Sequence, residues 1–182
     1  SGDESIYIAS RVPQSGAWIE GVAFSVEDVQ KFALQNKDQD LYFGPAVRSR
    51  QDPAKVLYTR VLWAEVDSKD FGDNIDKARS SSEQFPAQPS FIIHSGHGIH
   101  LYWLLEAPTQ PEFAQDAMKR IAQVTKGDHV FNPNRVLRIP NTINYKSDPA
   151  MPVVQEFGEA TLTYSFDDIV KLAATKERVA RI

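Results

Sequence analysis

Cysteine is absent from this chain of 182 residues, which excludes a disulfide framework and any cysteine-ligated zinc centre. No apolar run approaches the roughly 20 residues of a membrane span, so a hydrophobic content of 42% goes into a core. A basic coat is lacking as well. The 20 Lys and Arg against 24 Asp and Glu leave a net charge of −4, which argues against a surface uniformly made for nucleic acid. Internal repeats, low-complexity tracts and a leader-type segment are also missing, and the Ser1-Gly2 start reads as an expression remnant. These absences point to an intracellular, cytoplasmic protein with no membrane partner.

What is present is an order of elements. Residues 1–20 show little periodicity and read as a partly ordered lead-in. Ser25-Val-Glu-Asp reads as a helix cap with acids in the first turn, opening a helix to about Gln35. Leu41 to Arg48 reads as a strand interrupted at Gly44-Pro45, followed by a charged turn at Gln51-Asp-Pro53. A strand over about 57–67 follows, then a helix from Asp73 to about Phe85 that Pro86 and Pro89 stop. Phe91–Ser95 and Ile99–Leu105 read as two strands joined by a hairpin at Gly96-His97-Gly98. Pro111 to about Thr125 is amphipathic, with Phe113, Ala117, Ile121 and Val124 on one face. Arg135–Ile139 reads as a strand ended by Pro140, residues 150–164 as a strand or hairpin, and Phe166–Ile182 as a helix behind Ser165. That helix ends abruptly in charged residues, so more protein is expected beyond it.

The fold class is therefore α+β. Its core, about 56–146, has the β-α-β-β-α-β order of a ferredoxin-like or RNA-recognition-motif-like sheet. An N-terminal α/β extension covers about 1–55 and a C-terminal strand and helix about 150–182, all within one domain, 1–182. Helices on one face of such a sheet leave the other face free for a site.

Three constellations carry chemistry. The run Val61-Leu-Trp-Ala-Glu-Val-Asp67 brings apolar residues up to two carboxylates, Glu65 and Asp67, spaced two apart. In a strand both project from one face, where they repel unless a cation lies between them. A hard divalent metal needs that arrangement; the bland alternative is a half-buried strand with an acidic solvent face. The second constellation is His94-Ser-Gly-His-Gly-Ile-His100, three of the four histidines within seven residues. Gly96 and Gly98 let backbone approach a ligand, and Ser95 can offer its hydroxyl and N–H to a phosphate. His100 shares a strand face with Tyr102, whereas His94 and His97 read as turn residues. The third lies in a basic zone from Lys119 to Lys146, with six basic residues against one acid, Asp128. Asp128 is a candidate third carboxylate. Arg138, inside a strand, needs a counter-charge that a triphosphate or a structural carboxylate would supply equally.

Taken together, a strand ending in acid-x-acid, a Ser-Gly-x-Gly-x-His-x-Tyr-Trp hairpin and an Arg-x-x-Arg-x-Pro-x-Thr-x-Asn-x-Lys segment resemble the archaeo-eukaryotic primase superfamily. The likeness covers about residues 41–146 and is greatest to the primase-polymerase domains of phage, plasmid and other mobile-element replication proteins. The resemblance implies a DNA primase/polymerase: a nucleotidyltransferase with a two-metal Mg²⁺ or Mn²⁺ site at Glu65, Asp67 and Asp128. Ser95, Gly96, His100, Arg138 and Lys146 would bind the nucleotide, with Arg48 reaching nucleotide or template from the preceding strand. Implied partners are single-stranded DNA template, NTP or dNTP substrates, and a helicase, either as a separate protein or as a domain following this segment. The chain departs from the family at Glu65, where the first motif usually reads Asp-x-Asp. Two rival readings are a rolling-circle or relaxase-type nuclease, which would need a helix-borne tyrosine, and a catalytically inactive nucleotide or single-stranded-DNA binder.

Overall fold

The computed structural model describes residues 2–180, with the side chains of residues 2–174. The lead-in expected over residues 1–20 is instead a hairpin of β1 (Glu4–Arg11) and β2 (Trp18–Ala23). β1 is sandwiched between β2 and β3 (Asp40–Ser49) in antiparallel pairing. An interior strand uses both its faces, so consecutive Ile8, Ala9 and Ser10 are all buried. No period of two marks such a strand in the sequence. Between β2 and β3 lies α1 (Val26–Gln35), closed by a reciprocal capping box between Ser25 and Asp28. The expected break at Gly44-Pro45 is a bulge in a continuous β3. Register shifts between Ile6 and Ile8, whose partners are Val47 and Phe43, and an unpaired position is where a strand tolerates Pro.

β4 (Val56–Asp67) is followed by a 3₁₀ turn at Ser68–Phe71, α2 (Ile75–Ser82), β5 (Phe91–His94) and β6 (Gly98–Thr109). β6 lies between β4 and β5, antiparallel to both, which is the split βαβ unit expected. α3 (Pro111–Thr125) packs on β4 through Ala114, Ala117, Met118, Ile121 and Ala122. Phe113, placed on that face by the sequence, is 61% exposed; the apolar stripe is rotated by one position, with Ala114 facing inward. The last strand of the motif shrinks to β7 (Leu137–Arg138), paired with β3 at Tyr42 and Phe43. β8 (Thr142–Asn144), unforeseen, pairs with β9 (Met151–Gly158), which extends the sheet beyond β5. β10 (Thr163–Tyr164) lies parallel to β6, and α4 (Phe166–Ala180) packs on α3. The expected end of that helix at Ile182 lies outside the described residues.

The strands form one curled sheet ordered β2-β1-β3-β4-β6-β5-β9-β8. Strand alternation divides its centre. Leu62, Ala64 and Val66 of β4 pair with Trp103, Leu101 and Ile99 of β6 on one face. There Trp103 meets Phe85 edge to face at 5.2 Å and donates its indole N–H to the Ala87 carbonyl. The opposite face carries Trp63, Glu65 and Asp67 beside Tyr102 and His100. No helix among the described residues is long and apolar enough to cross a membrane.

Candidate active site

Glu65 and Asp67 sit at the end of β4, and the β4–β6 register sets His100 directly opposite Glu65. The pair is close and dry. Glu65 Oε1 lies 3.4 Å from His100 Nε2, with the histidine side chain 2% exposed. On its other side Glu65 Oε2 meets Arg135 Nη2 at 3.5 Å. Burial alone would raise the Glu65 carboxyl; the hydrogen bond and charge of His100, with Arg135 and Lys69, outweigh it and hold the group at about 2.

Asp128 reaches the pair because the chain after α3 runs against the free edge of β4. Lys126 closes the helix in the left-handed region at φ 52°. A side chain at Gly127 would meet the Glu65 carbonyl at 2.7 Å, so only glycine allows this approach. The Asp128 N–H then donates to the Glu65 carbonyl at 2.8 Å, and Trp63 Nε1 donates to the Val130 carbonyl. The result brings together the three carboxylates that the sequence singled out: one oxygen each of Glu65, Asp67 and Asp128 lies within 4.8 Å of the others. An all-oxygen set of that spacing fits a hard divalent ion. Buried polar atoms without a partner also gather around this site. Of four among the described residues, His100 Nδ1 and Arg135 Nε belong to side chains that touch Glu65, and Tyr102 OH to the side chain next along the same strand face.

Lys69, which the sequence reading passed over, bridges the cluster. Its Nζ lies 3.1 Å from Asp67 Oδ2 and 3.0 Å from Asp128 Oδ2. Hydrogen bonding to Asp128, and then to Asp67, pushes its ammonium above the ordinary lysine value. The side chain is 55% exposed, so each bond contributes at most about 1 kcal/mol, and the ammonium can leave at small cost. Only its spacing, two residues past Asp67 in a turn, could have signalled it.

The hairpin from Ser95 to Gly98 forms the next wall. Ser95, expected to offer hydroxyl and N–H to a phosphate, directs both to the Gly98 carbonyl, at 3.1 and 2.8 Å. Asn144 Nδ2 holds the Ser95 carbonyl at 2.7 Å. Gly96 stands at φ 99°, where a Cβ would also strike Met151 at 2.9 Å. His97, read from sequence as a turn residue, lines the cleft and meets Ser147 Oγ at 3.1 Å. His94 Nδ1 accepts the Gly96 N–H at 3.2 Å.

Arg138 and Lys146 complete a polar cleft of about 130 Å³ that Glu65, Asp67, Ser95 and His100 also line. Arg138 finds its counter-charge within the protein: Nη1 donates to Asp40 Oδ1 at 2.6 Å, and the Tyr145 N–H meets the same oxygen. Its guanidinium also lies over the Tyr42 ring at 4.9 Å. Arg48 is the exception. It is 4% exposed, donates to the Pro53, Asn134 and Arg135 carbonyls, and lines a separate cavity. A guanidinium buried against three carbonyls ties β3 to two loops; expected to reach nucleotide or template, it lines a cavity beside the cleft and not the cleft of Glu65 and Asp67 itself. Asn144, a weaker candidate in the loop after the Arg138 strand, does line the cleft, and so does Arg135, which was legible as part of the downstream motif but not as a wall of the cleft.

No protein-family model and no curated protein matches the sequence. Solved structures do resemble the fold. The AEP domain of the cyanophage S-2L primase-polymerase (PrimPol) superposes with a TM-score of 0.68 at 16% identity, over 93% of this chain and 89% of that one. The catalytic domain of primase RepB′ in complex with initiator DNA gives 0.64 at 13% identity, over 99% and 90%. The polymerase domain of Mycobacterium tuberculosis ligase D in complex with DNA gives 0.55 at 14%, over 97% and 81%. The chain has the archaeo-eukaryotic primase-polymerase fold, as its sequence motifs implied.

Two outcomes follow from this geometry. Lys69→Met removes the ammonium that competes for Asp67 and Asp128, so Mn²⁺ should bind several-fold tighter in an electron paramagnetic resonance titration of free ion. Equal or weaker binding would show that Lys69 does not compete. Arg138→Ala leaves Asp40, 1% exposed, without its cation and should lower urea stability by roughly 3–5 kcal/mol; a loss below about 1 kcal/mol would show that the pair is not structural.

Proposed function

We propose that this primase-polymerase fold carries a DNA primase-polymerase activity: metal-dependent, template-directed nucleotidyl transfer on single-stranded DNA from NTP or dNTP substrates. The observation that carries this reading is the meeting, at one end of the open sheet face, of three carboxylates with a cationic wall of Arg135, Arg138 and Lys146. Divalent ions, Mg²⁺ or Mn²⁺, held by Glu65, Asp67 and Asp128 would supply activation of an attacking 3′-hydroxyl and charge neutralisation of departing pyrophosphate.

The protein's own part is preorganisation. His100 and Arg135 grip Glu65 from two sides and fix its carboxylate orientation before any ligand arrives. Arg138, held by Asp40, and Lys146, which makes no ion pair among the described residues, present positive charge to a triphosphate. Ser95 and Gly96 act through the loop they build, whose small residues let phosphate oxygens come near backbone. A cleft of about 130 Å³ is smaller than the roughly 300–1,000 Å³ that encloses a whole ligand, so it suits the phosphates and leaves the base outside.

Likeness to a phage primase-polymerase and to a primase solved with initiator DNA supports placing the activity in replication of a mobile genetic element. The nuclease reading lacks its nucleophile. Tyr145 and Tyr164 lie off the helices, and their hydroxyls donate to the Lys37 and Gln88 carbonyls.

The test is synthesis of labelled product on a single-stranded template, without primer and with one, comparing NTPs with dNTPs under Mg²⁺ and Mn²⁺. Wild type should form product. Glu65→Ala and Asp67→Ala should each reduce it on the order of 10³-fold, the loss of several kcal/mol of transition-state stabilisation. Nucleotide binding without product would favour the inactive binder, and activity retained in both variants would sink the assignment.

A further inference from the structure

A templated reaction needs the strand that is read to pass directly beside the triphosphate cleft, because its base must pair with the incoming one. One neighbouring cavity meets that requirement. It encloses about 600 Å³ between the β1–β2 hairpin, the turn after β3 and residues 134–136, and its wall at Val136 is shared with the cleft. At its mouth stands Trp18, 48% exposed at the start of β2, an edge strand paired only with β1. Trp18 and its neighbour Ile19, itself 44% exposed, leave apolar surface open on that edge. Trp18 is also supported. Its ring lies 5.1 Å from Tyr42, and Tyr42 lines the cleft and carries Arg138 over its own ring. Aromatic contact is thus continuous from the outer cavity to the carboxylate site.

The charges of the cavity select which part of a strand enters. Glu20 and Asp52 line it, and its one guanidinium, Arg48, donates to backbone carbonyls. Acids repel phosphodiesters, so the sugar-phosphate chain stays outside. Bases, which are uncharged and have flat faces, are admitted to the ring of Trp18.

We propose that Trp18, backed by Tyr42, is a stacking platform for a base of the single-stranded template, and that the cavity behind it receives that base next to the triphosphate cleft. The inference rests on the proposed primase-polymerase function and assigns the course of its template.

The test uses tryptophan emission. Trp63 and Trp103 are 1% and 0% exposed and both indole N–H groups are bonded internally, so a change on adding DNA reports Trp18. Titration with a thymidine oligonucleotide of about 12 nucleotides should quench the emission, while an abasic oligonucleotide of equal length should bind more weakly without quenching. Trp18→Ala should weaken thymidine-oligonucleotide binding about tenfold, and Trp18→Phe, which keeps a stacking face, should retain most of it. Binding by wild type with unchanged emission, or undiminished affinity in Trp18→Ala, overturns the platform alone. No binding by wild type overturns the proposed function with it. Quenching that follows protein concentration in the absence of DNA assigns the face to a second copy of the chain and also overturns the platform.

Discussion

Three carboxylates held within 4.8 Å of one another are a standing electrostatic liability, and much of the architecture around β4 manages it. Like charges at that range raise one another's affinity for protons unless cations intervene. Here three cationic or hydrogen-bonding groups intervene from separate directions. His100 comes from the neighbouring strand, Arg135 from the segment before β7, and Lys69 from the turn after β4. Their net effect is to keep Glu65 ionised despite its burial. A buried carboxylate kept ionised beside two others is prepared for a divalent cation, and Lys69, the most exposed of the three partners, is the one most readily displaced.

Close backbone contact makes this possible. A Cβ at Gly98 would strike the Val66 carbonyl at 2.8 Å, and one at Gly127 the Glu65 carbonyl at 2.7 Å. The two glycines press β6 and the post-α3 segment against the same few residues of β4. The overall acidity of the chain is then no obstacle to an anionic substrate, because the local field is set by what converges. From the basic zone, Arg135, Arg138 and Lys146 face the cleft, whereas Lys119 and Lys126 line a different cavity beside α3.

Legibility in the sequence followed how local each signal was. The acid-x-acid end of β4 was readable because strand alternation is a local rule, and the split βαβ because its turns and periodicities are local too. Asp128 was readable from its place after a helix, although nothing in the sequence states that Gly127 brings it to Glu65. β1 was illegible because, paired on both sides, it buries residues on both faces and shows no alternation. The burial of Arg48 against backbone carbonyls was illegible, because in sequence such an arginine looks the same as one open to a phosphate. Lys69 and Arg135 escaped because their roles depend on tertiary distances across 59 and 70 positions. Arg138 was read as needing a counter-charge, and the structure supplies Asp40, 98 residues away.

The most direct measurement of the central claim is anomalous diffraction from crystals of the protein grown with Mn²⁺ and a non-hydrolysable nucleoside triphosphate. The account predicts manganese ligated by oxygens of Glu65, Asp67 and Asp128, with the Lys69 ammonium displaced and the phosphates facing Arg138 and Lys146. Manganese bound elsewhere, or a triphosphate lying away from the Ser95–His100 hairpin, would contradict it.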